Sequence, residues 1–369
     1  MTLIRRSEFP SGMGEVISLL VYERSAPTEA DPAWTAMTIE DGQEGGTCLP
    51  PTTKVDVAST ARNFQLYRRA IEGPDFCAEE TRSPFSIDQQ LTAISGILTD
   101  YVRISWEIHD RHEYFRMCKT KVVVNSCSNP TTSTTQATTY PAACPTLKLP
   151  FGLLQKYRLL LVRDGAAESA MLRENGAPVL TCMSSPETSD YVIREDGIRT
   201  DLRNAAGGSA VSGPGALLFS AMGVTYTYRG FAFMNDLFPR RFSCSGGTYT
   251  EIAAYSTTAA TKGLKAEINT SYLTADYEET TIFDPTVFTQ LIPRPITSPG
   301  ANFNFDPVNY TGVWKVQNIR HRVDNPDGNI LYHRAIMAAA SMPMYPERGV
   351  AFVHLRCDPE CVSEPACNS

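Results

Sequence analysis

The longest regular pattern of apolar positions in the chain runs from Pro84 to Cys118. Apolar residues recur there three, four or seven positions apart, which marks one face of a helix with 3.6 residues per turn. Ser83 suits the N-cap, and Pro84 suits the first helical turn because no intrahelical hydrogen bond needs its missing N–H. The pattern predicts a helix far longer than the average of about 11–12 residues. Its apolar face comprises Ile87, Leu91, Ile94, Leu98, Tyr101, Ile104, Ile108 and Phe115.

Outside this segment the pattern predicts short strands and two further helices. Phe151–Arg163 is expected to be helical and to end near Gly165, and Asp284–Leu291 is expected to form a short helix. Val224–Met234 alternates around Gly230, which predicts one strand with a bulge or a close approach at the glycine. Leu153, Leu154, Tyr157, Leu160 and Leu161 share one face of the second helix. Other strands are expected at Val122–Val124, Pro178–Cys182, Val313–Ile319, Ile330–Met342 and Val350–Cys357.

The first 72 residues show no pattern typical of a buried core. Residues 1–33 combine short apolar runs with Gly and Pro, which predicts an extended arm. Trp34–Glu40 and Lys54–Ile71 alternate on either side of the Gly- and Pro-rich stretch Asp41–Pro51. This arrangement predicts a long open hairpin with a polar tip.

Composition indicates a soluble, ordered protein without a membrane span. Of the 369 residues, 42% are hydrophobic and 20% are charged, and 33 Lys and Arg against 40 Asp and Glu give a net charge of −7. This balance argues against a nucleic-acid binder that works through a broad basic field. The 10 cysteines are scattered and do not form a compact secreted framework. We therefore expect a cytosolic protein with reduced thiols.

The candidate chemical sites are weak. His109 and His112 stand three positions apart on the predicted helix beside Glu113, a spacing that can hold zinc. The alternative is that they are polar-face or interface residues of a highly charged helix. Cys357, Cys361 and Cys367 lack a strong zinc spacing, and Cys244 lies in SCSGG. Ordinary thiols are the default for these four, with a metal site or a disulfide formed after release from a host as the alternatives.

The sequence lacks two common motifs of enzymes, a phosphate-binding loop and a serine hydrolase motif. The glycine-rich loop at residues 207–215 lacks the Gly-Lys-Ser/Thr ending of a phosphate-binding loop. No G-x-S-x-G motif is present, so a hydrolase triad has no anchor. The sequence predicts a protein that is not an enzyme and carries no cofactor or metal.

Several strings resemble the major capsid proteins of tailed bacteriophages with the Hong Kong 97-like fold. These are FPSGMG followed by YERSAP, YRGFAF with PRRF, TADYEETTIFDP, and WKVQNIRHRVDNPDGN with the closing HLRC. The resemblance implies an α+β fold. Its parts would be an N-terminal arm (1–33), an extended β-hairpin loop (34–72), a peripheral domain with a long spine helix (73–150), an inserted axial domain (151–304), and a return to the peripheral domain with a C-terminal tail (305–369).

The resemblance also implies a function in geometry rather than catalysis. The chain would self-assemble into the pentamers and hexamers of an icosahedral phage head. Assembly would take place in the host bacterial cytoplasm, and the assembled protein would be part of the virion. The head would enclose double-stranded DNA without sequence-specific binding or contact with a membrane. Portal, scaffold, protease and decoration proteins are the implied partners. A phage tail or head-decoration protein and a metal-dependent enzyme are the alternatives.

Five residues are candidates for contacts between subunits. Arg62, Arg68 and Arg69 lie on the return limb of the predicted hairpin, where they can pair with acidic residues of a neighbour. A solvated strand face explains these arginines equally well. Trp34 and Lys54 belong to the same predicted hairpin and complete the set.

Overall fold

The computed structural model places a long helix beside two mixed sheets. It describes residues 5–8, 16–22, 59–65, 67–72, 76–77, 87–135, 137–166, 172–174, 177–194, 226–228, 230–255, 268–292, 314–319 and 330–357. The chain divides into two compact units, one of residues 13–65 and one of residues 1–12 with 66–369.

The helices are α1 (Ile87–Met117), α2 (Phe151–Leu161), α3 (Pro186–Arg194) and α4 (Thr270–Leu273). The strands are β1 (Arg5–Glu8), β2 (Val16–Tyr22), β3 (Ser59–Gln65), β4 (Tyr67–Glu72), β5 (Phe76–Cys77), β6 (Thr120–Val123), β7 (Thr131–Ser133), β8 (Leu172–Glu174), β9 (Ala177–Ser184), β10 (Tyr226–Tyr228), β11 (Phe231–Asn235), β12 (Arg241–Ser245), β13 (Thr248–Ile252), β14 (Tyr277–Phe283), β15 (Phe288–Ile292), β16 (Trp314–Ile319), β17 (Ile330–Pro343) and β18 (Gly349–Leu355).

The smaller unit contains a two-stranded antiparallel ribbon. β2 pairs with β3 from Val16 opposite Gln65 to Tyr22 opposite Ser59. The sequence placed Val16–Tyr22 in the arm, so the partner of the return limb differs from the expected one. The expected outgoing limb and tip, residues 34–51, lie outside the described residues.

A six-stranded sheet of the larger unit is built on β17. This 14-residue strand pairs with β4, β5, β15 and β16, and β1 joins the edge through β15. The expected hairpin limb at residues 54–71 therefore divides, because β3 belongs to the ribbon whereas β4 belongs to this sheet. The expected helix after Asp284 was wrong: a single 3₁₀ turn at Pro285–Val287 leads directly into strand β15.

A ten-stranded sheet forms the larger core. Its main order is β10-β11-β9-β14-β18-β6-β7, with β12 and β13 continuing beside β14 and β8 beside β9. The last strand, β18, lies parallel to β6, which follows α1, and antiparallel to β14. Late and early parts of the chain therefore share one sheet. The expectation of one continuous strand at Val224–Met234 was wrong, because β10 and β11 pair as a hairpin that turns at Gly230. The expected close approach at this glycine is confirmed, since a Cβ there would clash with the guanidinium of Arg158.

The helices bury apolar side chains against the two sheets. On α1, Leu98 and Phe115 are buried as expected, whereas Tyr101 is 39% exposed. On α2, Leu153, Leu154, Tyr157 and Leu161 are buried, but Leu160 is 43% exposed. The helix α2 shares its core with Phe231, Phe233 and Phe352 of the sheet. No helix in the described part of the chain is both long and apolar enough to cross a membrane.

Candidate functional site

The five candidate contact residues are placed only by their backbone. Trp34 and Lys54 lie outside the described residues. Arg62 is on β3, opposite Leu19 of β2. Arg68 and Arg69 are consecutive residues of β4, opposite Ala338 and Met337 of β17. The strand pairing therefore assigns Arg62 to the ribbon and the other two arginines to the six-stranded sheet.

The histidines of α1 each have a partner other than a metal ligand set. His112 Nε2 lies 3.2 Å from a carboxylate oxygen of Glu251 on β13. Glu113 binds Arg116, with one N–O distance of 3.2 Å. The ring of His109 packs 5.4 Å from that of Trp106, and burial lowers the pKa of His109. Within the described ranges, no group of three or more His, Cys, Asp and Glu is placed to hold a metal ion.

A row of charged groups connects α1 to the ten-stranded sheet. Arg240, in the loop before β12, donates to Glu279 at 3.1 Å and to Glu251 at 2.7 Å. Glu279 also accepts a 2.8 Å hydrogen bond from the hydroxyl of Tyr140. Glu251 in turn contacts His112 on α1. The row fixes the helix, the β12–β13 hairpin and β14 to each other through opposite charges.

Aromatic rings enclose the cationic part of this row. The guanidinium of Arg240 lies 4.6 Å from the ring centroid of Phe115 and 5.1 Å from that of Phe242. Lys121, which is fully buried on β6, lies over Phe115 at 4.6 Å and donates to the carbonyl of Cys118. Burial lowers the pKa of Lys121 because the charged ammonium loses its hydration. The ring of Phe115, the carbonyl of Cys118 and the negative charge of Glu279 compensate for part of that lost hydration.

A second buried carboxylate organises the start of α3. Glu278 is fully buried and accepts a 2.7 Å hydrogen bond from Ser185 and another from Thr188. Arg241 lies 3.6 Å from the other carboxylate oxygen. The hydroxyl of Ser185 also accepts from the backbone N–H of Thr188, which caps the helix. The sequence pattern did not predict this arrangement, although Ser185-Pro186-Glu187 is a recognisable helix start.

Cys244 is disulfide-bonded to Cys144, so the expectation of an ordinary thiol at this position was wrong. The two residues are 100 positions apart, and their Cα atoms are separated by 5.8 Å. The sequence could not show this pairing because the bond depends on β12 lying against the segment before α2. Cys127 is also disulfide-bonded, whereas Cys182 is a buried thiol. Cys361 and Cys367 lie outside the described residues.

A cavity beside the charged row offers little room for a substrate. It has room for only about 10 Å³, roughly one water molecule, whereas ligand pockets typically hold about 300–1,000 Å³. Two arginines and two acidic residues balance the charge of its lining. The charged row and the cavity beside it therefore have the character of a structural contact between elements rather than of a ligand site. The lining residues are Arg111, Tyr114, Met183, Asp236, Arg240, Glu279 and Thr281.

Comparison with known proteins identifies the fold. No protein-family model matches the sequence, and no curated protein matches it. The structure is similar to the capsid of Ralstonia phage GP4, with a TM-score of 0.52, 11% identity, and coverage of 97% of this chain and 88% of that chain. It is also similar to the Cyanophage Pam1 capsid asymmetric unit, with a TM-score of 0.50, 10% identity, and coverage of 94% and 86%.

These matches cover nearly the whole of both chains rather than one short motif. The chain has the capsid-protein fold of tailed bacteriophages.

Proposed function

We propose that this chain is the major capsid protein of a tailed phage, which assembles into the icosahedral head and encloses double-stranded DNA. One observation carries the proposal: 97% of the chain matches 88% of a phage capsid chain, although identity is only 11%. A match of this extent leaves little of the chain for a separate catalytic domain. The proposed role is therefore structural and non-enzymatic.

The parts of the proposed subunit follow from the Hong Kong 97-like arrangement. Helix α1 is the spine, with a length of about 46 Å at roughly 1.5 Å per residue. Residues 73–150 and 305–369 are the peripheral domain, and residues 151–304 are the axial domain. The pairing of β18 with β6 supports the return of the chain to the peripheral domain, and the pairing of β18 with β14 joins the two proposed domains in one sheet.

The arm and hairpin are the parts that we propose to reach neighbouring subunits. A two-stranded ribbon such as β2–β3 is at best marginally stable in water by itself. Packing on another subunit would provide the surface that it needs. In this proposal Trp34, Lys54, Arg62, Arg68 and Arg69 belong to inter-subunit contacts. The net charge of −7 suits a shell that holds DNA without binding it tightly.

Electron microscopy of the expressed protein tests the proposal. The chain should form pentamers, hexamers and closed shells of uniform curvature, alone or with its phage's scaffold, portal, protease and decoration proteins. Tubes or rings would instead indicate a tail protein, and small oligomers that bind to preformed heads would indicate a decoration protein. A stable monomer in the presence of all cognate head proteins would contradict the proposal, and stoichiometric zinc in that monomer would favour an enzyme.

A further inference from the structure

A disulfide joins the segment before α2 to the hairpin formed by β12 and β13. Cys144 is in the segment and Cys244 is on β12. The bond closes a loop of about 100 residues, which includes α2, β9, α3 and β11. A bond across so long a loop restricts the unfolded chain strongly and so stabilises the folded one.

The contact between these two parts does not depend on the disulfide alone. The hydroxyl of Tyr249 on β13 donates a hydrogen bond to the carbonyl of Ala143, next to Cys144. Gly247 lies so close to Ala142 that an added Cβ would be 2.7 Å from its carbonyl carbon. The ring of Tyr140 packs 5.4 Å from that of Tyr249 and 6.0 Å from that of Phe242. These contacts would hold the two sulfur atoms near each other even as thiols.

The surroundings also determine which thiols can react. Cys118 and Cys182 are fully buried, and burial raises the pKa of each thiol to about 12. Because the thiolate is the reactive form, these two react slowly. Cys144 and Cys244 are only partly buried, so small oxidants and reductants can reach them. This difference in accessibility favours oxidation of Cys144 and Cys244 over oxidation of Cys118 and Cys182.

We propose that the Cys144–Cys244 bond is a redox-dependent clasp, which forms after the subunit has folded with both thiols reduced. On oxidation each thiol loses its hydrogen, a sulfur–sulfur bond forms, and two electrons and two protons pass to the oxidant. The oxidant is dioxygen, which becomes hydrogen peroxide, or a small disulfide such as oxidised glutathione, which becomes two thiols. The reduced subunit has the same fold and lower stability. This inference does not depend on the proposed capsid function.

The test compares the protein purified with and without a reductant. Free thiols are blocked with iodoacetamide, and the digested protein is mapped by mass spectrometry. In the reduced protein, Cys144 and Cys244 should both be alkylated while the far-UV circular dichroism stays unchanged. After exposure to oxidised glutathione, a linked peptide should contain both residues, and the thermal midpoint should rise by several degrees.

Variants separate this bond from that of Cys127. The double variant C144S/C244S should be folded, and its thermal midpoint should respond less to oxidation than that of the parent. Ser245→Ala, an exposed change on the same strand, should respond as the parent does. The proposal is overturned if the reduced parent loses its fold, if no linked peptide forms on oxidation, or if the double variant gains as much stability on oxidation as the parent.

Discussion

Glu251 shows how single residues hold the long helix to the sheet. Its carboxylate accepts a hydrogen bond from Arg240 at 2.7 Å and contacts His112 at 3.2 Å, and its side chain is 32% exposed. Burial alone would raise the pKa of Glu251. The hydrogen bonds and positive charges of His112 and Arg240 outweigh burial and lower this pKa from 4.5 to about 2. The native state therefore favours the ionised carboxylate.

Glu251→Gln should lower stability in a pH-dependent manner. Because the folded pKa lies below the unfolded value, the charge stabilises the fold fully above pH 4.5 and progressively less as the pH falls towards 2. At neutral pH we expect a loss of about 1 kcal/mol, since partial exposure weakens the ion pairs. Thermal melts at a series of pH values would show the difference between parent and variant shrinking below pH 4.5.

A matched control for this prediction is Asp100→Asn on the same helix. Asp100 pairs with Arg103 at 3.5 Å, but both side chains are about two-thirds exposed. Removing this charge should change the melting temperature much less than removing Glu251. An equal effect of the two variants, or a Glu251→Gln difference that persists unchanged at low pH, would show that the charged row does not stabilise the fold.

The turn between β12 and β13 gives a second residue-scale prediction. Gly246 and Gly247 have φ values of +58° and +82°, the left-handed pair that a two-residue hairpin turn requires. A Cβ at position 246 would meet nothing within 4 Å, whereas one at 247 would meet the Ala142 backbone at 2.7 Å. We expect Gly246→Ala to cost about 1–2 kcal/mol from backbone strain and Gly247→Ala to cost more. Urea unfolding measures both, and equal costs would contradict the close approach.

Individual residues were predictable where the local pattern alone decides their position. Leu98 and Phe115 were placed correctly in the core because helical spacing assigns them to one face. The partners of Glu279 were not predictable, since Tyr140 is 139 positions away and Arg240 is 39 positions away. Such pairs depend on which strands become neighbours in the sheet. A local sequence pattern does not show which strands pair.

At the scale of elements, one face of α1 is buried in the core and the other is exposed on the surface of the subunit. Leu98 is fully buried, while the preceding Ile97 is 44% exposed. The helix contacts β16, β17 and β18 of the two sheets. Two consecutive apolar residues of one helix therefore have different roles, although their hydrophobic character is the same.

Leu98→Asp should prevent folding, whereas Ile97→Asp should be tolerated. An unpaired carboxylate in the core costs several kcal/mol, which is a large part of a typical stability of about 5–15 kcal/mol. The exposed position should change stability by less than about 1 kcal/mol. Solubility, circular dichroism and thermal melting of the two variants measure the difference. A folded Leu98→Asp protein with an unchanged melting curve would show that this face is not in the core.

Elements with strong local signals were predicted better than those that depend on pairing. The expected strands at Pro178–Cys182 and Val350–Cys357 correspond to β9 and β18. The helix expected after Asp284 failed because Phe288–Ile292 can pair along β17, and this pairing outweighs a short apolar run. Helix α3 was missed although Ser185 and Pro186 mark a helix start, because Glu278, which anchors that start, lies 93 positions from Ser185 in the sequence.

At the scale of the whole molecule, the larger unit and the ribbon differ in how much structure stabilises them. The larger unit has an extensive core around α2 and the ten-stranded sheet. The ribbon has one ladder of seven residue pairs in its described part. Residues 23–58 connect its strands, and this span contains the candidate inter-subunit residues Trp34 and Lys54. If the proposed function is correct, this span acts mainly after subunits meet.

Replacing residues 38–54 with a short Gly-Ser turn should therefore separate folding from assembly. The segment TIEDGQEGGTCLPPTTK contains only three clear apolar residues, Ile39, Cys48 and Leu49. It can contribute little buried apolar area to its own subunit, and shortening a loop changes its closure entropy only modestly. We expect a folded subunit with nearly the thermal midpoint of the parent. Under the proposed function, closed particles should disappear, because the replacement would remove a contact between subunits that is repeated throughout a shell.

Calorimetry and sedimentation measure the two effects on the same preparation. The double variant C144S/C244S serves as the control, because it should lower the thermal midpoint of the subunit while leaving residues 38–54 intact. A loop replacement that unfolds the subunit would place the loop in the subunit core. Normal shells formed by the shortened protein would show that contacts between subunits come from other parts of the chain. Only a folded protein that forms no shells assigns the loop to assembly, since that outcome removes the interface and retains the fold.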